Sequence, residues 1–276
     1  MENDFRIHLK FWGVRGSIAT PVGENLGYGG NTTCIEVRTP GDVLIIDGGT
    51  GLRNLGMKLQ QEFAGGNCSL TFLMTHFHWD HIQGLPFFAP LFSPSTEVTF
   101  RTSRSPEEIK EILAGQMTDP YFPVKFEHSP AKKRYACVSS GSFRQGGLTI
   151  HPFPMNHPQG ATGYRMESGG AVVVHASDLE HGNPHLDRVM REYAQNADVL
   201  VFDAQYTPEE HASKRGWGHS TWLEATRVAR DCHVGQLVLF HHDPGHDDAF
   251  LDSIVKQARR HVENTVAAKE GEVVGV

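Results

Sequence analysis

Residues 75–81 read Thr-His-Phe-His-Trp-Asp-His and directly follow the apolar segment Ser69–Met74, which is predicted to be a buried strand. Alternate side chains of an extended chain point to the same side, so His76 and His78 can bind one cation together. Where the chain turns after His81, the pair Asp80 and His81 can face a second cation. Three histidines and one aspartate within six positions argue against a purely structural role for these residues. Their side chains form a ligand set that zinc, manganese and iron all accept.

The stretch resembles the HxHxDH signature of the metallo-β-lactamase superfamily, and four further residues resemble the remaining motifs of that superfamily. Each stands at the end of a predicted strand and in the superfamily's order. They are Asp47 after Val43–Ile46, His157 after Ile150–Met155, Asp178 at the end of Ala171–Ser177, and His241 after Gln236–Phe240. The resemblance therefore extends over nearly the whole chain.

This resemblance implies a four-layer αββα sandwich in which two mixed β-sheets pack face to face with helices outside. The chain's own pattern agrees, because short apolar segments come in two batches and each batch is followed by helical stripes. We expect one domain over residues 1–276, with an insertion or lid at about 85–134, where the pattern is interrupted by Pro86, Pro90, Pro94, Pro120, Pro123 and Pro130. The predicted strands are Leu9–Val14, Cys34–Thr39, Val43–Asp47, Ser69–Thr75, Val98–Arg101, Leu148–Phe153, Thr162–Met166, Ala171–Ala176, Val199–Asp203 and Gln236–Phe240.

Helices are predicted where apolar residues recur at helical spacing or where a capping pattern occurs. Ser105 to Glu108 reads as a capping box with proline at the first helical position. The other predicted helices carry the stripes Leu52, Leu55, Leu59 and Phe63; Leu186, Val189, Met190 and Tyr193; Leu223, Val228 and Ala229; and, beginning near Asp247, Phe250, Leu251, Ile254 and Ala258.

The resemblance also implies a division of roles among these residues. His76, His78 and His157 would hold the first metal ion, Asp80, His81 and His241 the second, and Asp178 would bridge both, while Asp47 would orient a ligand histidine from outside. Two divalent cations about 3.5 to 4 Å apart can share a hydroxide and stabilise a displacement. Zinc is the first choice, with manganese and iron as alternatives, since all three accept imidazole and carboxylate.

Two further segments indicate a branch of the superfamily. The strand end at Asp203 and the segment Gly218-His219-Ser220-Thr221 resemble those of the tRNA 3′-processing ribonuclease and related phosphodiesterases. There the extra histidine lies beside the metals and is oriented by the carboxylate, so we carry these roles over to His219 and Asp203. With Asp80, they are the candidate catalytic residues. A carboxylate-oriented imidazole can protonate a leaving alkoxide or stabilise phosphoryl oxygens.

The composition of the chain limits the classes of partner that it is expected to bind. The chain has 25 Lys and Arg against 32 Asp and Glu, a formal net charge of −7, and 17 His. The acidic balance argues against an extended nucleic-acid surface, which needs clustered basic residues. No apolar run is long enough to span a membrane, and no signal peptide is readable, so a cytoplasmic location is expected. The expected partner is a small anionic substrate, and a homodimer with a second copy of the chain is left open.

The sequence thus predicts a phosphodiesterase that acts on a small phosphodiester or cyclic nucleotide. Two alternatives stay open: a lactone or thioester hydrolase of the same superfamily, and a non-catalytic metal-binding regulatory protein. Arg15 can meet a phosphate or serve as a structural ion-pair partner. His242 and His246 can contact substrate or support neighbouring residues. The aromatic residues in Tyr121–Val124 can cap a small ligand or pack on the core.

Overall fold

Two seven-stranded mixed sheets lie face to face in the computed structural model, which describes residues 6–138 and 141–276. Helices cover the outer face of each sheet, so the expected four-layer αββα sandwich is confirmed. The strands of the described residues are β1 (His8–Gly13), β2 (Cys34–Thr39), β3 (Asp42–Ile46), β4 (Cys68–Leu73), β5 (Thr96–Thr102), β6 (Lys132–Cys137), β7 (Phe143–Gln145), β8 (Leu148–Met155), β9 (Ala161–Ser168), β10 (Ala171–Ala176), β11 (Val199–Asp203), β12 (Gln236–Phe240), β13 (Thr265–Ala267) and β14 (Val273–Gly275).

The strand order brings the ends of parallel strands together. The first sheet runs β14-β1-β2-β3-β4-β5-β6, with β3 to β6 parallel, and the second runs β13-β12-β11-β10-β9-β8-β7, with β10 to β13 parallel. Parallel strands buried on both faces read as near-continuous apolar runs, and β11, with the sequence Val-Leu-Val-Phe-Asp, is buried throughout. Loops that follow neighbouring parallel strands emerge at one edge of each sheet. That edge is where a site can be assembled from distant parts of the chain.

Seven α-helices connect or flank the strands of the described residues. They are α1 (Leu52–Glu62), α2 (Trp79–Ile82), α3 (Pro106–Gln116), α4 (Pro184–Ala194), α5 (Pro208–Ser213), α6 (Trp222–Asp231) and α7 (Asp248–Ala258), with short 3₁₀ turns at Gly23–Asn25, Leu85–Phe87, Ala89–Phe92 and Phe126–His128. The capping box predicted at Ser105 is present at the start of α3. Asp247 caps α7, but Phe250 is 40% exposed rather than inward, because its ring packs against His246 at the surface.

The core has one layer between the sheets and one under each set of helices. Between the sheets, Phe11 and Phe240 place their ring centroids 5.9 Å apart. Beneath the helices of the first sheet, Phe72 stacks on Phe100 with centroids 5.1 Å apart. Burial of this apolar area from both sheet faces stabilises the sandwich and fixes the strand registers.

The segment 85–134, expected to be an insertion or lid, supplies a strand and a helix to the sandwich. β5 is hydrogen-bonded between β4 and β6, and α3 buries Ile109 and Leu113 in the core beneath it. The exposed part lies after α3, where Tyr121 is 79% exposed and Phe122 packs edge-on against Phe87. A lid role for that exposed part stays a prediction.

The buried side chain of Arg15 joins two loops. Its side chain is 0% exposed, and the guanidinium donates to four backbone carbonyls, those of Asn25, Gly29, Asp243 and His246. Burial lowers the pKa of Arg15, against the opposing field of nearby carboxylates led by Asp248. The side chain therefore joins the loop before β2 to the loop before α7 and is not available to a phosphate.

No helix among the described residues has the length and apolar character that crossing a membrane requires.

We expect Arg15→Lys to lower the free energy of unfolding by at least about 2 kcal/mol, because an ammonium cannot reach all four carbonyls and each unpaired buried one costs about 1–3 kcal/mol. Urea denaturation of the metal-free protein measures the change. Arg188→Lys on the exposed face of α4 is the matched control and should stay within about 0.5 kcal/mol of the parent. Equal urea midpoints for Arg15→Lys and Arg188→Lys would contradict the proposed role of Arg15 in joining the two loops.

Candidate metal centre

The predicted site residues meet at the edge where β3, β4, β10, β11 and β12 end. Residues 75–81 follow β4, and helix α2 turns Asp80 and His81 inward, where both are buried. A cleft of about 380 Å³ opens onto them and is lined by Ser17, Phe77, His78, Trp79, Asp80, Asp178 and His219. Residues more than 160 positions apart in sequence thus share one cleft.

One group of potential ligands consists of three histidines. Ring nitrogens of His76, His78 and His157 lie within 4.8 Å of one another. The Nδ1 of His78 and the Nε2 of His157 are 3.1 Å apart. These three side chains are those assigned to the first metal ion from the sequence.

A second group contains two carboxylates and two histidines. One ligand atom from each of Asp80, His81, Asp178 and His241 lies within the same 4.8 Å limit, and all four residues are buried. The Oδ2 of Asp80 is 3.3 Å from the Nε2 of His241 and 3.4 Å from the Nε2 of His81. These are the residues assigned to the second ion and to the bridge.

Asp178 stands between the two groups. Its Oδ1 lies 3.2 Å from the Nε2 of His241, 3.3 Å from that of His81 and 3.9 Å from that of His76. Its other oxygen accepts a hydrogen bond from the Ser177 hydroxyl. One carboxylate oxygen therefore faces ligand nitrogens of both groups, which is the position that a bridging ligand needs.

Asp47 controls the tautomer of two histidines. Its Oδ2 accepts from the Nδ1 of His81 and from the Thr75 hydroxyl, both at 2.8 Å, and its Oδ1 accepts from the Thr75 backbone N–H at 2.8 Å. Because the Thr75 hydroxyl donates to Asp47, its oxygen accepts from the Nδ1 of His76 at 3.0 Å. In both histidines the proton sits on Nδ1 and the lone pair of Nε2 faces the cluster.

The other three histidines are fixed in the same way. Gly218 carbonyl accepts from the Nδ1 of His157 at 2.9 Å, and the Gln205 side-chain oxygen accepts from the Nδ1 of His241 at 2.8 Å. For His78 the pattern is reversed, since its Nε2 meets the Gln159 oxygen at 3.1 Å and its Nδ1 faces inward. An acceptor on one nitrogen directs the other nitrogen toward the cluster, and this is how protein sites orient imidazole for a metal.

The donor set fits divalent cations. The Nε2 atoms of His76, His81 and His241 are buried without a hydrogen-bond partner, and each faces the cluster. Burial opposes the charged form of His241, but Asp178, Asp80 and Asp203 outweigh it and raise its pKa to about 9. For His76 burial and the neighbouring His81 prevail, and its pKa is lowered. The carboxylates therefore favour a positive charge at the point where the unpaired imidazole nitrogens converge. A divalent cation supplies that charge and accepts those nitrogens as ligands.

His219 and Asp203 lie beside these groups. The Nδ1 of His219 is 2.9 Å from the Oδ2 of Asp203, and the ring of His219 stacks on His241 at 4.9 Å. Asp203 also accepts from the backbone N–H groups of Asp178, Gln205 and Ser220. Ligand atoms of Asp203 and His219 lie within 4.8 Å of those of Asp178 and His241, and the four donors on the two oxygens of Asp203 anchor it at the site.

Five residues at the site have left-handed backbone conformations. The φ angles are 57° at Asp47, 65° at Asp178, 62° at His241, 63° at Ser17 and 66° at Gln159. Non-glycine residues rarely adopt such angles, and the strain persists only where surrounding contacts enforce it. The turn after each strand end is therefore part of how these side chains are aimed inward.

Ser17, Gln159 and Gln205 also contribute, although the sequence did not single out their roles. The backbone N–H of Ser17 donates to the Oδ2 of Asp80 at 2.7 Å, and a side chain at Gly16 would collide with His241. A serine amide and two glutamines carry no recognisable motif. The signal available for Gln205 was its position two residues after Asp203.

His242 and His246 lie outside the centre. The Nε2 of buried His242 meets the Ala268 carbonyl at 3.0 Å, and burial lowers its pKa to about 3. The Nε2 of His246 meets Glu210 at 2.9 Å. Both side chains support neighbouring loops.

Comparison with known proteins gives a consistent result. The family model of the β-lactamase superfamily domain matches residues 44–242. A ribonuclease Z of Thermoplasma acidophilum is 23% identical over 96% of this chain and 94% of that protein. Among solved structures, the metallo-β-lactamase fold protein YhfI from Bacillus subtilis aligns with a TM-score of 0.71 at 19% identity, over 98% of this chain and 99% of its own. A diphosphatase from the PhnP family aligns with a TM-score of 0.70 at 18% identity, over 98% of both chains.

We expect Asp47→Asn to weaken divalent-cation binding about 10- to 100-fold, because an amide cannot accept from all of the donors that Asp47 now satisfies. Asparagine tolerates the left-handed conformation of residue 47, so the backbone should be retained. Competition with a chromophoric chelator measures the affinity. Asp231→Asn, at an exposed position, is the matched control, and an unchanged affinity in Asp47→Asn would contradict the orienting role.

Proposed function

Since this chain belongs to the metallo-β-lactamase superfamily, in its ribonuclease Z-like branch, we propose that it hydrolyses a small phosphodiester, such as a cyclic nucleotide, with the aid of two divalent cations. The observation that carries the proposal is the Asp203-anchored His219 beside two convergent ligand groups. An imidazole in this position can protonate the alkoxide that leaves when a phosphodiester is hydrolysed.

In this proposal His76, His78 and His157 hold one cation, Asp80, His81 and His241 hold the other, and Asp178 contacts both. Bound divalent cations would supply an activated water and neutralise charge that develops on the phosphoryl oxygens. Zinc is the first choice for a nitrogen-rich site of this kind, and manganese and iron accept the same ligands.

His219 is proposed to hold the proton that the leaving group needs. Asp203 accepts from four donors and is therefore a carboxylate, so the Nδ1 of His219 must donate to it. The Nε2 of His219 is then the ring nitrogen without a hydrogen bond to Asp203, and His219 lines the cleft. A protonated Nε2 can donate to the departing oxygen, and Asp203 stabilises the imidazolium that carries the proton.

The surroundings of the cleft favour a small substrate. Its volume is about 380 Å³, which suits a compact ligand. Between Arg101 and Arg134 the chain has seven basic and five acidic residues, so the only segment suspected of covering a substrate is weakly basic. Polynucleotide binding depends on many phosphate contacts from clustered basic residues.

RNA cleavage is the second candidate function, and one observation favours it. The curated relatives include proteins named ribonuclease Z, which align over most of this chain and of their own length. A precursor tRNA is therefore the necessary competitor in any substrate test.

We expect His219→Ala to lower kcat for a 3′,5′-cyclic nucleotide, whose leaving group is an alkoxide, about 10²- to 10⁴-fold, the usual contribution of a positioned general acid. Elemental analysis should find the same two cations per chain in the variant, because His219 is not among the proposed ligands. His185→Ala, an exposed histidine on α4, is the matched control. Loss of the cations, or an unchanged kcat in the variant, would contradict the assigned role.

We expect the metal-loaded protein to hydrolyse 2′,3′- and 3′,5′-cyclic nucleotides with a kcat/KM at least about 10-fold above that for a lactone and thioester panel. Cleavage of a precursor tRNA should be slower at equal molar concentration, because the formal net charge of the chain is −7 and polynucleotide binding needs clustered basic residues. Product analysis by chromatography and gel electrophoresis measures all three. Faster cleavage of the tRNA would make RNA the substrate, and faster lactone turnover would move the protein to the carbonyl-hydrolysing class.

A further inference from the structure

Three residues that line the cleft beside the ligand groups have no role in the proposed centre. They are Ser17, Phe77 and Trp79. Ser17 differs from the two aromatic residues because its contacts reach Asp80, a proposed ligand, and Gln205, which supports another ligand. The geometry of these contacts indicates what the Ser17 hydroxyl can bind.

The backbone of Ser17 is fixed against the second ligand group. Its N–H donates to the Oδ2 of Asp80 at 2.7 Å, and the N–H of the preceding Gly16 donates to the His242 carbonyl at 3.0 Å. A Cβ atom on Gly16 would lie 2.3 Å from the Nδ1 of His241, so the loop passes directly against the ring of a proposed ligand. The position of residue 17 relative to the centre is therefore set by contacts on two sides.

The backbone conformation of Ser17 would suit glycine better than serine. Its φ of 63° lies in the left-handed region, which glycine adopts without steric cost and residues with a Cβ atom adopt with strain. Strain of this kind concentrates at functional sites, where a particular side chain is needed in spite of it. The feature to be explained is therefore the hydroxyl group of Ser17.

This hydroxyl receives a hydrogen bond from Gln205. The Nδ1 of His241 donates to the Oε1 of Gln205 at 2.8 Å, so the other terminal group of the Gln205 side chain is its NH₂ group. That group can only donate, and its Nε2 lies 3.4 Å from the Oγ of Ser17. The oxygen of Ser17 is therefore the acceptor, and its own proton is directed away from Gln205.

The proton of the Ser17 hydroxyl is available to a ligand. In the described part of the chain the contact with Gln205 is the one hydrogen bond of this hydroxyl, and Ser17 is exposed where it lines the cleft. A neutral donor makes its strongest hydrogen bonds to ionised oxygens. The two non-bridging oxygens of a phosphodiester share one negative charge and can only accept, so they match this donor.

We propose that the Ser17 hydroxyl donates a hydrogen bond to a non-bridging phosphoryl oxygen of the substrate, which makes Ser17 a substrate-binding residue. The inference rests on the proposed phosphodiesterase function and deepens it. Non-bridging oxygens are present in the substrate, in the transition state and in the phosphate product, so the hydroxyl contacts all three. His219 keeps its separate role at the departing oxygen, and no proton leaves Ser17.

Two variants remove the Ser17 hydroxyl and differ in backbone preference. Ser17→Ala keeps a Cβ atom, whereas Ser17→Gly fits the left-handed conformation with less strain. We expect both to raise the KM of the metal-loaded protein for 3′,5′-cyclic AMP at least about 10-fold, as the loss of a hydrogen bond to a charged oxygen does. Because a contact made equally in substrate and transition state affects KM, kcat should fall by no more than about 3-fold.

Phosphate binding supplies a readout that does not depend on turnover. Isothermal titration calorimetry of the metal-loaded protein with inorganic phosphate should give a dissociation constant at least about 10-fold higher for both variants than for the wild type. Elemental analysis should find two cations per chain in all three proteins, because the backbone N–H that donates to Asp80 is retained. Ser253→Ala, at an exposed serine on α7, is the matched control and should bind phosphate as the wild type does.

The two proposals can fail separately. A wild-type protein that does not bind phosphate, or equal phosphate affinities in the wild type and both variants, overturns the assignment of Ser17. An effect in Ser17→Ala that Ser17→Gly lacks also overturns it, because the cause is then the backbone of residue 17, and so does a loss of cations from both variants. Weaker phosphate binding by both variants, without hydrolysis of any phosphodiester by the wild type, supports the role of Ser17 and overturns the hydrolytic function.

Discussion

Five imidazoles can direct lone pairs toward the same few ångströms only if the opposite nitrogen of each ring is held by an acceptor. The acceptors are Asp47, the Thr75 hydroxyl, the Gly218 carbonyl and the side-chain oxygens of Gln159 and Gln205. Without them, a ring could turn its N–H inward and lose its capacity as a ligand. The whole centre therefore depends on acceptors that lie one step outside the cluster.

This constraint extends into the backbone and joins the two sheets. Asp47 ends β3, accepts from the backbone N–H of Thr75 after the neighbouring β4, and has a φ of 57°. Thr75 in turn accepts through its carbonyl from the backbone N–H of Thr162 in β9, and the Tyr164 hydroxyl donates to the Met74 carbonyl at 2.7 Å. The chain that presents the histidines is thereby fixed to both sheets. A shift of one residue in either register would reverse the side chains and dismantle the centre.

Much of this architecture could be predicted from the sequence, and the failures have physical causes. The HxHxDH motif places several potential ligands close together in sequence. The apolar segments predict where the more distant residues Asp178 and His241 lie, because each directly follows such a segment. Strands β6, β7, β13 and β14 went unrecognised because they are short or polar and lie at or next to sheet edges, where the burial that creates an apolar run is incomplete. The supporting contacts of Ser17 and Gln205 are set by tertiary packing, which produces no periodic pattern in the sequence.

The charge at the centre is more nearly balanced than its ligands alone would indicate. Counting only ligands, two carboxylates face two divalent cations and the centre looks strongly positive. Asp47 and Asp203 are buried within hydrogen-bonding distance of ligand residues, so four carboxylates balance the four positive charges of two such cations. Their influence is reduced because each is occupied by three or four N–H or O–H donors, which spread the negative charge. In the proposed function, attraction of an anionic ester into an acidic protein would depend on short-range contact with the cations and with the His219 side chain, rather than on a long-range field. A neutral ester would gain less from contact with the cations, which is a reason to propose a phosphodiester rather than a lactone as the substrate.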